Sequence, residues 1–253
     1  MKLYVLDGGR IEILDWARFQ PDAGPGVRRW ISDSCYLIVH PRGTLMWDTG
    51  LPDRLAGVAE GHTIPGVAVF HVTEPLADRL TALGHPPHEI DFLALSHFHP
   101  DHVGNVELFR GATLLVQGDE YAAAFGASPG DHGFDPQTYA VLRERPVAPL
   151  HGDHDVFGDG TVVIKRLPGH TPGSQSLLVR LPDTGSVLVS GDLVHSMENW
   201  TRRVVPTFNS DPQETVRSLE LADRVLAEEN ATLWVQHDLD QQSALRHGPA
   251  FYT

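Results

Sequence analysis

The chain has 253 residues, of which 41% are hydrophobic, enough for a sizeable core and too apolar for a disordered segment. A formal net charge of -14 argues against duplex nucleic acid and against an anionic membrane surface as partners, since both reward clustered Lys and Arg. The one cysteine, Cys35, rules out an internal disulfide, and no apolar stretch approaches the length of a membrane span.

The opening run Met1-Lys2-Leu3-Tyr4-Val5-Leu6-Asp7 lacks the apolar core and small-residue cleavage site of a signal peptide. A cytoplasmic protein with one domain over residues 1–253 is therefore expected. Residues 2–6, 10–14, 36–40 and 44–47 read as short strands between Gly, Pro and Asp turns, the spacing of an antiparallel sheet. Cys35, beside the third of them, reads as a buried inert thiol. Asp48-Thr49-Gly50 closes the fourth and opens a long connection, residues 51–74, in which Ile64, Val67, Val69 and Phe70 follow no clear period. It suits a mobile lid, a homodimer contact or an ordinary surface loop.

Residues 75–83 read as a helix, with Pro75 near its first turn and Gly84 past its end. An apolar run at residues 90–95 then reads as a buried strand. Beyond it come a strand at 112–116, a short helix at 119–125 and, at 128–149, an excursion over the surface rich in Gly, Pro and charge. Strands are expected again at 161–167, 176–180, 186–190 and 232–236. A helix over 212–229 is capped by Asp211 and carries Val216, Leu219, Ala222 and Leu226 on one face. Two β-rich halves of similar pattern predict two packed sheets with helices outside.

Packing does not explain the stretch Ser96-His97-Phe98-His99-Pro100-Asp101-His102-Val103-Gly104. In extended chain, side chains two apart share a face, so His97 and His99 converge on one point. Pro100 stops the ladder, and the turn after it swings Asp101 and His102 toward a second point nearby. Imidazole and carboxylate suit zinc and its first-row neighbours, and four such groups at one strand end have the layout of a dinuclear site. His170, Asp192 and His237 each stand where a later strand gives way to a loop. Singly these three are weak signals; the set of seven is specific. His62, His71, His132, His151 and His154 are expected at the surface.

With this set the sequence resembles the metallo-β-lactamase superfamily over almost its whole length, through the His-x-His-x-Asp-His cluster and the later His, Asp and His. The resemblance implies an α/β fold, the αβ/βα four-layer sandwich of two mixed sheets face to face with helices outside. It implies that His97, His99 and His170 hold one metal ion and that Asp101, His102 and His237 hold the other, with Asp192 bridging. Two divalent ions are the implied cofactors, zinc first, with iron, manganese or cobalt as alternatives. His99 stands where redox di-iron members carry Glu, which favours hydrolysis over oxygen chemistry. A bridging Asp192 disfavours β-lactam cleavage as the main activity.

Within the superfamily the chain is most similar to the N-acyl homoserine lactone lactonases and related small lactonases. The similarity rests on Leu6-Asp7-Gly8-Gly9, Asp48-Thr49-Gly50, Gln117-Gly118-Asp119-Glu120-Tyr121, Gly169-His170-Thr171-Pro172-Gly173 and His237-Asp238. Many of these enzymes place a Tyr three residues beyond the bridging Asp, where this chain has His195. Two divalent ions lower the pKa of a shared water toward neutrality. The expected reaction is attack of that bridging hydroxide on the carbonyl of a small ester or lactone. Asp101 would be both ligand and proton shuttle, and His195 would donate to the oxyanion or simply pack at the pocket wall.

Two other hydrolase readings stand beside this one. A glyoxalase-II-like thioesterase is disfavoured, because Arg246 and His247 are the only basic residues after His237; an aryl ester or organophosphate hydrolase is the other. A non-enzymatic module using metal only for folding is disfavoured as well, because seven ligands shared by two ions leave positions open. The pocket is expected to be partly apolar, with walls from residues 51–70, 125–134 and 197–200.

Overall fold

In a computed structural model describing residues 1–253, thirteen strands form two sheets. The larger holds β1 (Lys2–Ile13), β2 (Arg29–His40), β3 (Gly43–Trp47), β4 (His62–Ile64), β5 (Ala68–His71), β6 (Phe92–Ala94), β7 (Thr113–Gln117) and β8 (Val147–Leu150). Its order is β4-β5-β1-β2-β3-β6-β7-β8. The smaller holds β9 (His154–Asp155), β10 (Val162–Arg166), β11 (Gln175–Leu181), β12 (Gly185–Val189) and β13 (Thr232–Trp234), in the order β13-β12-β11-β10-β9. Both are mixed: β3, β6, β7 and β8 run parallel to one another, as do β12 and β13, and the remaining pairs are antiparallel. The helices are α1 (Leu76–Ala82), α2 (Gly118–Ala124), α3 (Pro136–Tyr139), α4 (Met197–Arg202), α5 (Pro212–Glu228) and α6 (Leu239–Ala244).

The period of two along each strand sorts side chains into layers. Leu3 and Val5 of β1, Tyr36 and Ile38 of β2, and Leu177 and Val179 of β11 meet in the core between the sheets. Their neighbours Tyr4, Leu6 and Leu37 face outward, against Leu76 and Leu80 of α1 and Tyr139 of α3. Leu178 and Leu188 face the other way, against Leu219, Ala222 and Val225 of α5. The result is the four-layer αβ/βα sandwich.

Several local expectations change. Residues 2–6 and 10–14 are one strand, not two, with a register shift between Asp7 and Arg10. The glycines there make room rather than a turn: a Cβ on Gly8 would lie 2.7 Å from the Asp33 carbonyl oxygen and 3.0 Å from Gly50 Cα. Residues 51–74 are not simply a loop, because β4 and β5 form a hairpin that extends the sheet beyond β1. Residues 128–149 are not only surface, since Phe134, Tyr139 and Leu142 are fully buried and the segment ends in β8. On α5 the buried face is turned from the expected one: Val216 is exposed, and Thr215 and Ser218 are buried because their hydroxyls donate to the carbonyls of Asp211 and Pro168.

Candidate metal centre

All seven expected residues meet along one edge where the sheets face each other. His97, His99, Asp101 and His102 follow β6, His170 follows β10, Asp192 follows β12, and His237 follows β13. Other residues pin these loops together. Asp48 accepts from the Ser96 amide at 2.6 Å and from the Gln236 side chain at 2.8 Å, joining the ends of β3, β6 and β13. Asn105 donates to the carbonyls of Thr49 and Leu51 and accepts from the Asp53 amide, which ties the turn after β3 to the histidine loop. Glu120 of α2 accepts from the amides of Phe98 and Gly173, bracing the His97–His99 loop against the His170 loop.

The nitrogens of the first group crowd one point. His99 Nδ1 is 2.8 Å from His97 Nε2 and 3.0 Å from His170 Nε2. In the second group, His102 Nε2 and His237 Nε2 are 3.3 Å apart, and Asp101 reaches to 3.9 Å from each. Asp192 stands between the groups with one oxygen for each. Its Oδ2 is 3.2 Å from His170 and 3.6 Å from His97, while its Oδ1 is 3.2 Å from His102 and 3.0 Å from His237.

Each of the five histidines points its other nitrogen at an oxygen. His97 Nδ1 faces Ser96 Oγ at 3.0 Å, and His99 Nε2 donates to the His132 carbonyl at 2.9 Å. His102 Nδ1 donates to Asp48 Oδ2 at 2.9 Å, His170 Nδ1 to Asn209 Oδ1 at 3.0 Å, and His237 Nδ1 to the Ser32 carbonyl at 2.6 Å. A proton fixed on the outer nitrogen leaves the inner one with a lone pair for a cation, the arrangement that metal-ligating histidines need. His132, expected at the surface, thus supports the site through its backbone. Gly133 beside it has φ +76, and a Cβ there would lie 2.7 Å from His99 Nε2.

The charges tell the same story. Burial holds the imidazole of His97 well below its ordinary range and brings that of His99 down to about 3, so these two rings are neutral donors. Burial also opposes charge on His102 and His237, but the nearby carboxylates, Asp192 foremost, outweigh it and raise His237 to about 9. Burial pushes Asp192 up, yet the surrounding imidazoles, His237 first, carry it well below the usual carboxylate range. A buried carboxylate among imidazoles that hold protons is a site that already collects positive charge, and nitrogen and carboxylate donors in this number suit divalent first-row ions. The residues fit two such ions.

His195 lies beside the group but outside it. Its Nε2 is 3.0 Å from Asp192 Oδ2, burial lowers it to about 4, and its buried Nδ1 has no partner. It is therefore a neutral imidazole whose Nε2–H is shared with Asp192. Phe19 packs edge-on against it at 4.8 Å, and Phe208 packs against Phe19 at 4.9 Å.

These rings line a cavity of about 470 Å³ that reaches His99, Asp101, Asp192 and His237. Its walls include Val67, Ala68 and Phe70 from the β4–β5 region and residues 130–133, as expected. Residues 197–200 do not contribute, because Met197 and Trp200 pack against the core beneath α5. Ile11, Ile13, Arg18, Phe19, Ile31 and Phe208 take their place. No periodic signal marks Phe19 or Phe208 in the sequence, since both lie in irregular chain.

The model of the metallo-β-lactamase superfamily matches residues 28–231. The chain belongs to this superfamily. It is 30% identical over 270 residues to the N-acyl homoserine lactonase AttM of Rhizobium radiobacter, covering 100% of this chain and 98% of that enzyme. It is 28% identical over 255 residues to the N-acyl homoserine lactonase AiiA of Bacillus thuringiensis subsp. kurstaki, covering 99% and 98%. Its structure resembles that of an N-acyl homoserine lactone hydrolase with the product N-hexanoyl-L-homoserine at the catalytic metal centre. That match has a TM-score of 0.87 and 27% identity, over 99% of this chain and 98% of the other. No helix is long and apolar enough to cross a membrane.

Proposed function

We propose that the chain is a metal-dependent lactonase that opens the ring of an N-acyl homoserine lactone or a closely similar lactone. The observation that carries this reading is the seven-residue cluster opening directly onto a half-apolar cavity of about 470 Å³. His97, His99 and His170 would hold one divalent ion and Asp101, His102 and His237 the second, with Asp192 shared; zinc is the first candidate. Such a pair of ions supplies Lewis acidity for a carbonyl and brings water within reach of ionisation at neutral pH.

The protein's own groups do the rest. Ile11, Ile13, Phe19 and Phe70 form an apolar wall for an acyl chain, which places the ring over the cluster. Asp101 is held only loosely by its histidine neighbours and lines the cavity, so its carboxylate can take the proton of the attacking water. It then returns that proton to the ring oxygen as the acyl carbon–oxygen bond breaks. The products are balanced: lactone and water give the N-acyl homoserine carboxylate and a proton. His195 offers its Nε2–H, shared with Asp192, to the carbonyl oxygen as negative charge grows there.

A thioesterase acting on acyl-glutathione needs cations for the glutathione carboxylates, and Arg18 is the only Lys or Arg lining the cavity. The test compares hydrolysis of N-acyl homoserine lactones, aryl esters and acyl-glutathione by the metal-loaded protein before and after chelation. Lactones should be turned over fastest, and chelation should abolish that activity. Equal or faster cleavage of acyl-glutathione would overturn the assignment.

A further inference from the structure

Asp33 of β2 is an ionisable group that the seven-residue cluster leaves unexplained. It is fully buried, and neither carboxylate oxygen has a hydrogen-bond partner. Such a group is expensive to bury, and an apolar side chain of similar size would fill the same space at lower cost.

Its position suggests what offsets the cost. The preceding residue, Ser32, is bound to His237 twice: the Ser32 carbonyl accepts from His237 Nδ1 at 2.6 Å, and the Ser32 amide donates to the His237 carbonyl at 3.2 Å. On the other side the Asp33 backbone lies against Gly8, which in turn touches Gly50 in the turn after Asp48. The charges that act most strongly on the Asp33 carboxylate come from Asp101, His102, His237 and Asp48. Three of these are the second metal group, and the fourth orients His102. Burial, with Asp101 adding to it, pushes the Asp33 carboxyl well above the usual carboxylate range. In a pocket without a hydrogen-bond donor, a nearby cation is what restores a carboxylate.

We propose that Asp33 is the eighth side chain of the metal centre, a buried carboxylate whose charge strengthens binding of the cation held by Asp101, His102 and His237. It acts through charge from behind the ligands and is a positioning residue for the ion, with no contact to substrate required. The protein accepts an unfavourable buried acid in return for tighter loading of its second site. The inference rests on the metal-centre reading and adds to it a selective effect on one of the two ions.

The test uses the full chain with Asp33→Val and Asp33→Asn. Metal stoichiometry and chelator-competition affinity are measured for both sites, and Tm is measured with excess zinc and with excess chelator. Asp33→Val should be more stable than the parent in chelator, while binding the second equivalent of zinc about tenfold or more weakly and the first equivalent almost unchanged. Asp33→Asn should show the same weakening of the second equivalent, which keeps the test decisive if the valine variant folds poorly. Second-site affinity equal to the parent's in both variants would overturn the proposal while leaving the metal centre intact. A parent chain that takes up no metal would overturn both.

Discussion

Replacing Asp48 by Asn tests whether hydrogen bonds outside the ligand set decide how the ligands behave. Asp48 is fully buried at φ +57, a conformation that Asn tolerates, so the substitution leaves the backbone largely undisturbed. Its Oδ1 accepts from the Ser96 amide, and its Oδ2 accepts from both His102 Nδ1 and Gln236 Nε2. Gln236 cannot easily reverse its amide, because its Oε1 accepts from the Trp47 indole at 3.2 Å. An asparagine must put its NH2 on one side or the other. Facing Ser96, it sets donor against donor at the start of the histidine loop. Facing His102, it pushes the imidazole proton from Nδ1 to Nε2, the nitrogen that lies 3.2 Å from Asp192 Oδ1 and 3.3 Å from His237 Nε2. Either way a bond to a charged acceptor is lost, worth about 1.5–3 kcal/mol, and stability should fall by about that much. Metal affinity at the Asp101, His102 and His237 group should fall by about 10–100-fold. Chelator competition on purified protein, with elemental analysis after dialysis, measures this directly. Two equivalents of metal retained at parental affinity would refute the reasoning.

Four further outcomes are expected. Asp192→Ala should lose both ions together, because each carboxylate oxygen faces a different group; elemental analysis showing one equivalent retained would place the residue in a single site. A cation entering the second group must displace the proton that His237 holds up to about pH 9, so binding should release protons and apparent affinity should rise with pH, flattening near pH 9. The same raised value means that His237 stabilises the metal-free fold below about pH 6.5 and that this contribution is lost as pH climbs through about 9; pH-independent indicator-monitored metal titrations would contradict the first expectation, and denaturant unfolding of the chelated protein that loses no stability over this window would contradict the second. His195→Ala should lower kcat on a lactone by about tenfold or more with both ions retained, whereas metal loss with unchanged turnover per loaded enzyme would assign His195 to holding Asp192 alone.

The candidate ligands are legible because their chemistry is local and their spacing is sharp. Four of them sit in six residues, and no packing argument wants histidines at alternate positions at the end of an apolar strand. The strand periods also carried the layer architecture, since each core strand alternates between two buried faces. What escaped was set by tertiary context. Gly8-Gly9 reads as a turn, and only the approach of the Asp48–Gly50 segment shows that the strand continues and needs the space. The β4–β5 hairpin has no alternation strong enough to announce it, because it is half exposed and completes an edge. His132 looked like any loop histidine, since its contribution is a backbone carbonyl that carries no sequence signal.

The residues that hold the candidate ligands come from almost every part of the chain. Ser32 belongs to β2, Asp48 follows β3, Ser96 follows β6, His132 lies in the 128–149 segment, and Asn209 precedes α5. Each fixes one imidazole, so the five inner nitrogens converge only when both sheets and their outer segments are in place. A cation bound at this point therefore stabilises the joint between the two halves rather than a single loop, by the free energy of binding to the native state alone. The same arrangement explains why a core of this size can fold around so many like-charged or proton-bearing groups. Apolar burial between the sheets and under the helices brings the strand ends together, and the site's electrostatic cost falls on a rim already held by its neighbours.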